Sequence, residues 1–191
     1  MMKNAAGRIV PEEIKGLGTV RQYKGAFALE PQGHIVGGRL RAGKPHSDKL
    51  VRSIEQAIEA SRLQDGMTIS FHHHFRNGDY VLDMVLEAIA KKGIKGLTLA
   101  PSSLNDSDTL IRMIELGVVT AIETSGARGK LGRVITSGKL AKPMIVRSHG
   151  GRARAIECGD LHIDVAFIGA PCCDKYGNIN GINGKSACGT M

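Results

Sequence analysis

The stretch from Gly66 to Ala100, GMTISFHHHFRNGDYVLDMVLEAIAKKGIKGLTLA, decides the fold. Its opening, Met67-Thr68-Ile69-Ser70-Phe71, has the two-residue apolar alternation of a strand, and it ends at His72-His73-His74. Asp79 then stands as a helix cap, and Leu82, Val85, Leu86 and Ile89 recur at helical spacing. Lys91-Lys92-Gly93 supplies a basic last turn and a glycine stop. Leu97-Thr98-Leu99-Ala100 is a second short apolar strand. A strand, an amphipathic helix and a strand in succession form the unit that joins parallel strands by a right-handed crossover.

The same alternation continues on both sides. Upstream, Ser47 reads as an N-cap with Asp48 beside it, and Leu50, Ile54, Ala57, Ile58 and Ser61 share one face of a helix running to about Leu63. Downstream, a polar turn from Pro101 to Asp108 leads to a third helix on Leu110, Ile111 and Ile114, closed by Gly117. Strands are expected at Val118 to Thr124, Met144 to Val146 and Val165 to Ile168. The loop Ser125 to Gly129 and a short segment around Leu131 to Leu140 lie between the first two. The expected fold is therefore α/β, an open, mostly parallel sheet with helices on both faces, over residues 46–191. Residues 1–45 hold scattered glycines, prolines and basic residues without a sustained apolar period, and read as an N-terminal arm.

Composition narrows the function classes. The 191 residues are 42% hydrophobic and 23% charged, an ordinary globular balance, and Gly contributes 25 of them, which favours many tight turns. Lys plus Arg is 26 against 18 acids, a net charge of +8, so an anionic partner or substrate is expected. Aromatics are only 4% and Trp is absent, which argues against a base-stacking nucleic-acid platform. No apolar run is long enough to span a bilayer, and the first residues lack the apolar stretch of a signal peptide, so a cytoplasmic protein is expected. Cys158, Cys172, Cys173 and Cys188 form no CxxC pair and are expected as reduced thiols.

In an open α/β sheet ligands bind outside the carboxyl ends of the strands, so the loops there are the candidate sites. Three share one composition of basic, small and glycine residues. The first, His72-His73-His74-Phe75-Arg76-Asn77-Gly78-Asp79, runs into a helix start that favours an anion. His72 and His74 would share a face, but no third metal ligand stands at a recognisable spacing, so no metal is expected. In the second, Ser125, Gly126 and Arg128 can approach and clasp a carboxylate. In the third, Ser148, His149 and Arg152 flank Gly150 and Gly151, whose backbone N–H groups can face an oxyanion, as can that of Gly78. Each loop also has a plain reading as a solvated polar turn. Gly184-Lys185-Ser186 is no phosphate loop, because Ile179 stands where the pattern needs glycine, and neither GxGxxG after a strand nor GxSxG occurs.

Taken in order, Leu63 to His73, Thr98-Leu99-Ala100-Pro101-Ser102-Ser103-Leu104, Gly117-Val118-Val119-Thr120, Ser148-His149-Gly150-Gly151-Arg152 and Ile163 to Gly169 resemble the citrate lyase alpha subunit family over about residues 47–191. That family belongs to the CoA-transferase group of α/β folds, to which Asp174-Lys175-Tyr176-Gly177-Asn178 is also similar. The resemblance implies a citrate CoA-transferase of the acyl carrier type. Acetyl held as a thioester on the phosphopantetheine arm of an acyl carrier subunit, gamma, is exchanged for citrate, which gives citryl carrier and acetate, and a beta subunit then cleaves the citryl group. The implied partners are the beta and gamma subunits, citrate and acetate, in an oligomer, with neither nucleic acid nor membrane. Family members are longer, with a second related half that carries the glutamate used covalently by many relatives, so residues 46–191 correspond to the first half. Glu123, Asp160 and Asp174 match no family nucleophile, and no covalent nucleophile is assigned. The competing readings are an inactive half that docks other lyase subunits, a sugar-phosphate isomerase or sensor on a related fold, and a basic nucleic-acid binder.

Overall fold

A computed structural model of the chain describes residues 1–22, 46–72 and 80–182. Four two-residue strands come first, as two antiparallel hairpins: β1 (Met2–Lys3) with β2 (Ile9–Val10), and β3 (Glu13–Ile14) with β4 (Gly18–Thr19). The expected arm thus contains local hairpins in its described part, and its remaining glycines, from Gly25 to Gly43, lie outside the described residues.

The helices and sheet follow the alternation read from the sequence. In chain order they are α1 (Ile54–Ser61), β5 (Thr68–His72), α2 (Tyr80–Lys91), β6 (Leu97–Leu99), α3 (Asp108–Glu115), β7 (Val119–Thr124), α4 (Gly129–Thr136), β8 (Ile145–Val146), α5 (His149–Glu157) and β9 (Val165–Ile168). A hairpin of β10 (Cys172–Cys173) and β11 (Ile179–Asn180) closes the described chain. The strands β5 to β9 form one parallel sheet in the order β8-β7-β6-β5-β9.

That order fixes the layers. Three crossovers step in one direction from β5 to β8, and right-handedness puts α2, α3 and α4 on one face; the long return to β9 puts α5 on the other. The first face carries the main core, in which Ile69 and Phe71 of β5, Leu97 and Leu99 of β6 and Ile122 of β7 pack against Ile58, Leu86, Ile89, Leu110, Met113 and Leu131. The second is thinner: Ala100, Ala155 and Leu161 form a small separate cluster under α5.

Besides α4, a helix where the sequence reading gave only a short unassigned segment, two elements differ from the expectation. The first helix starts at Ile54, not after Ser47, because Ser53 is its cap: Ser53 Oγ accepts from Gln56 N at 3.2 Å, and Gln56 Oε1 accepts from Arg52 N at 3.0 Å. Leu50, assigned by spacing to that helix, is exposed. The second difference is α5, expected as a strand-end glycine loop. It is a helix despite Gly150 and Gly151, since Ser148 Oγ caps it through Gly151 N at 3.0 Å and Arg152 and Ala155 bury its inner face.

Among the described residues no helix is long and apolar enough to cross a membrane. Cys158, Cys172 and Cys173 are unbridged. Cys188 and the Gly184-Lys185-Ser186 stretch lie outside the described residues.

Candidate functional site

The succession of strands reverses at β5, which has β6 on one side and β9 on the other, and a crevice is expected at the carboxyl ends of such a reversal. His72 ends β5 there, in register with Ile168 at the end of β9. It is half-buried, and it lies on the same sheet face as Ser70, toward α5. The continuation of this loop, with the expected contacts His73, His74, Arg76, Asn77 and Gly78 and the expected cap Asp79, lies outside the described residues.

The second loop is built differently from expectation. Ser125 and Gly126 are half-buried after β7, while Arg128 is exposed at the N-cap of α4 with no side-chain cap bond. The cap comes instead from the loop after β6. Asp106 Oδ1 accepts from Leu131 N at 3.0 Å and Oδ2 from Lys130 N at 3.2 Å. The anion that a helix N-terminus favours is therefore supplied by the chain itself, and α4 offers no such place to a ligand through these N–H groups. The backbone donors Leu131 and Lys130 hold the Asp106 carboxyl below the usual aspartate range.

A group whose folded value is lowered stabilises the fold above its unfolded value, and that contribution fades as pH falls through the folded one. The melting temperature of the native chain is therefore expected to fall as pH drops below about 4. The fall should be shallower in Asp106→Asn, which keeps an acceptor but does not titrate. Thermal melts of both chains at pH 5, 4 and 3 check this, and parallel curves would contradict it.

The third loop brings several expected residues together. Glu123 Oε2, near the end of β7, accepts from Arg147 Nε at 2.9 Å just after β8, and both are largely shielded from solvent. Glu123, one of the few carboxylates at a strand end, is thus ion-paired. Ser148 caps α5; His149 and Gly150 are exposed in its first turn. A Cβ at Gly150 would meet nothing within 4 Å, and no acceptor for its N–H occurs among the described residues. Gly151 is a correction to the oxyanion expectation, because its N–H already donates to Ser148 Oγ at 3.0 Å. Arg152 is a second correction. It is 8% exposed and turns into the sheet, where Nη2 donates to Ser70 Oγ at 2.8 Å and to Ala100 O at 3.0 Å. Its site on the inner face of a helix could have been found from Ala155, three residues later on the same face, had the two glycines not masked the helix.

The structure thus gathers His72, the Ser125–Arg128 loop and the Ser148–Gly150 turn at the carboxyl edge of one sheet. Sequence reasoning missed Asp106 and the buried hydroxyl of Thr124, whose Oγ1 has no partner among the described residues. Asp106 had a signal, since it precedes the helix start Ser107-Asp108 by so little. Nothing in the sequence marked Thr124. Among the described residues no three His, Cys, Asp or Glu side chains converge as a metal site would require.

Comparison with known proteins bears on this arrangement. Residues 47–191 match the family model described as citrate lyase, alpha subunit. The citrate lyase alpha chain of Escherichia coli K12 is 52% identical over 152 residues, which are 79% of this chain and 30% of that protein. That of Haemophilus influenzae is 54% identical over 144 residues, 75% of this chain and 29% of the relative. A crystal structure from Streptococcus mutans, described as an alpha subunit of citrate lyase in complex with citrate, aligns with a TM-score of 0.80 at 49% identity. It covers 99% of this chain and 37% of that one. The chain therefore spans about 30% of the length of the curated relatives it matches.

Proposed function

This chain belongs to the citrate lyase alpha subunit family, and on that premise we propose that it grips citrate and takes part in its exchange for acetate on an acyl carrier thioester. The carrier's phosphopantetheine arm enters as substrate, and the beta and gamma subunits of a lyase complex are the partners. The observation that carries the reading is the shared carboxyl edge: His72 ends β5 at the strand reversal, and α5, whose exposed first turn holds His149 and Gly150, is bonded through Arg152 to Ser70 on the same strand. The Streptococcus mutans relative, described in complex with citrate, supports the choice of ligand.

The chemistry suits such an edge. A citrate carboxylate oxygen attacks the acetyl thioester carbonyl, and a C–O bond forms as the carbonyl oxygen takes the negative charge. Collapse breaks the C–S bond and leaves a mixed anhydride of citrate and acetate. The freed thiolate then attacks the citryl carbonyl, forms the new C–S bond and releases acetate. No proton is consumed overall. Each tetrahedral intermediate carries an oxyanion, and a preorganised N–H donor stabilises it more than the flat thioester. Gly150 is the described candidate for that donor, and Gly78 the one outside the described residues. Arg128, with its fork geometry, and the +8 net charge suit a tricarboxylate and a phosphorylated arm alike.

Labelled acetate tests the reading. The chain, alone and with the remainder of a family-length subunit supplied, is incubated with an acetyl thioester of the carrier, with and without citrate. Citrate-dependent release of acetate in either preparation is expected. Release only on supplying the remainder would place the reacting groups across both parts. No release in either, with intact folding, would overturn the proposal and favour a half that only docks other subunits.

A further inference from the structure

Among the described residues, the second face of the sheet buries one cation, Arg152. Arg152 makes none of the ion pairs found among the described residues, which join other side chains, and its buried Nε has no acceptor there. Desolvation alone lowers its pKa, with no carboxylate acting against it. Guanidinium groups are seldom buried without a carboxylate, because only a well-placed anion offsets the loss of water. What Arg152 does have is reach. Its Nη2 joins Ser70, which shares a strand and a face with His72, to the carbonyl of Ala100, where β6 gives way to the Pro101–Ser107 loop. Its own backbone N donates to Ser148 O at 2.8 Å in the first turn of α5. Three segments that reach the carboxyl edge therefore meet at one side chain.

We infer that Arg152 is a positioning residue, a pin that sets the relative placement of the β5, β6 and α5 ends and so of the citrate site, without touching citrate itself. The inference rests on the proposed function only for the word citrate; the pin is a property of the fold. A lysine would carry the charge as a point on a shorter, flexible stem, whereas here Nη2 of a rigid planar group donates to both acceptors. The Ser70 hydroxyl is buried and bonded to Arg152, so removing it loosens the pin without removing the guanidinium.

Amide hydrogen exchange on the 191-residue chain, followed by citrate titration, tests the pin in Arg152→Met, Arg152→Lys and Ser70→Ala. In Arg152→Met and Ser70→Ala, the amides of Ala100 and Gly151 are expected to exchange about tenfold faster or more. Those of Leu86 in α2 and Ile114 in α3 should stay within about threefold. Arg152→Lys should fall between. Citrate affinity should drop in Ser70→Ala as well as in Arg152→Met. Unchanged exchange at Ala100 and Gly151 would overturn the pin. So would loss of citrate affinity in Arg152→Met with none in Ser70→Ala, since that is the mark of a direct ligand. If the native chain binds no citrate while the exchange changes appear, the pin stands and the functional reading fails.

Discussion

Alanine at Gly129 is expected to destabilise the chain by more than about 2 kcal/mol, well above the typical surface substitution. Two independent causes act together. Gly129 has φ of +57°, a left-handed conformation that costs a residue with a Cβ roughly 1–2 kcal/mol. The Cβ would also fall inside the radius of Asp106 Oδ2 and 2.6 Å from its Cγ. Asp106 cannot swing aside freely, because both of its oxygens are held by Lys130 and Leu131 N–H groups. The clash therefore removes the cap of α4 as well. In an Asp106→Ala background the cap is already gone, so Gly129→Ala should cost only the backbone conformation, and the two losses should fall short of adding. Denaturant titration of the four chains measures this. Equal cost in both backgrounds would mean that the carboxylate is not what excludes the methyl.

A second large effect is expected at Phe71, which is 2% exposed and stacks on Phe167 of β9 with ring centroids 5.3 Å apart. Phe71→Ala should cost about 3–5 kcal/mol, much of the stability of an ordinary domain. Phe71→Leu should cost far less, since it keeps most of the volume. The effect bears on the site because this pair locks β5 to β9 one residue before His72 and Ile168, the paired ends at the strand reversal. At low temperature, where Phe71→Ala remains largely folded, amides near His72 should lose protection first. A loss below about 1 kcal/mol would show that the core closes over the missing ring.

Much of this architecture was legible in the residues. β9 runs over Val165 to Ile168 as read, and β5, β6 and β7 lie within a residue of their expected bounds, because short apolar runs between glycine stops leave little choice of register. The third helix was equally plain from Leu110, Ile111, Ile114 and the Gly117 stop, and the structure adds Ser107, read as part of a turn, as its cap. What escaped did so for local reasons. The start of α1 was placed too early since Leu50 fits the helical period by chance; the stronger signal was Ser53 with Gln56, a cap pair that needs no apolar residue. The segment after Gly129 was left unassigned, although Leu131, Val134 and Ile135 carry a helical spacing that buries Leu131. For α5 the paired glycines and four charged or polar neighbours hide any stripe, and the helix is held by a cap and by a buried guanidinium.

The candidate site was legible in outline and less so in role. Strand-end position singled out His72, Arg128, Ser148, His149 and Gly150, all of which the structure leaves at the carboxyl edge. It cannot distinguish a glycine N–H without a partner among the described residues from one consumed by a cap, as at Gly150 and Gly151, nor an exposed arginine from one that faces the sheet. Those distinctions depend on partners distant in sequence: Ser70 and Ala100 for Arg152, and Asp106 for the α4 terminus.

The central claim is that the carboxyl edge of this sheet receives citrate. The most direct measurement is an amide NMR titration of the chain with citrate, set against sulfate at equal ionic strength. The largest citrate-specific shifts are expected at His72, at Ser125 to Arg128 and at His149 and Gly150, with little change at Lys142 and Thr120 near the amino ends of the strands. Shifts that sulfate reproduces, or that gather at the amino ends instead, would contradict the claim.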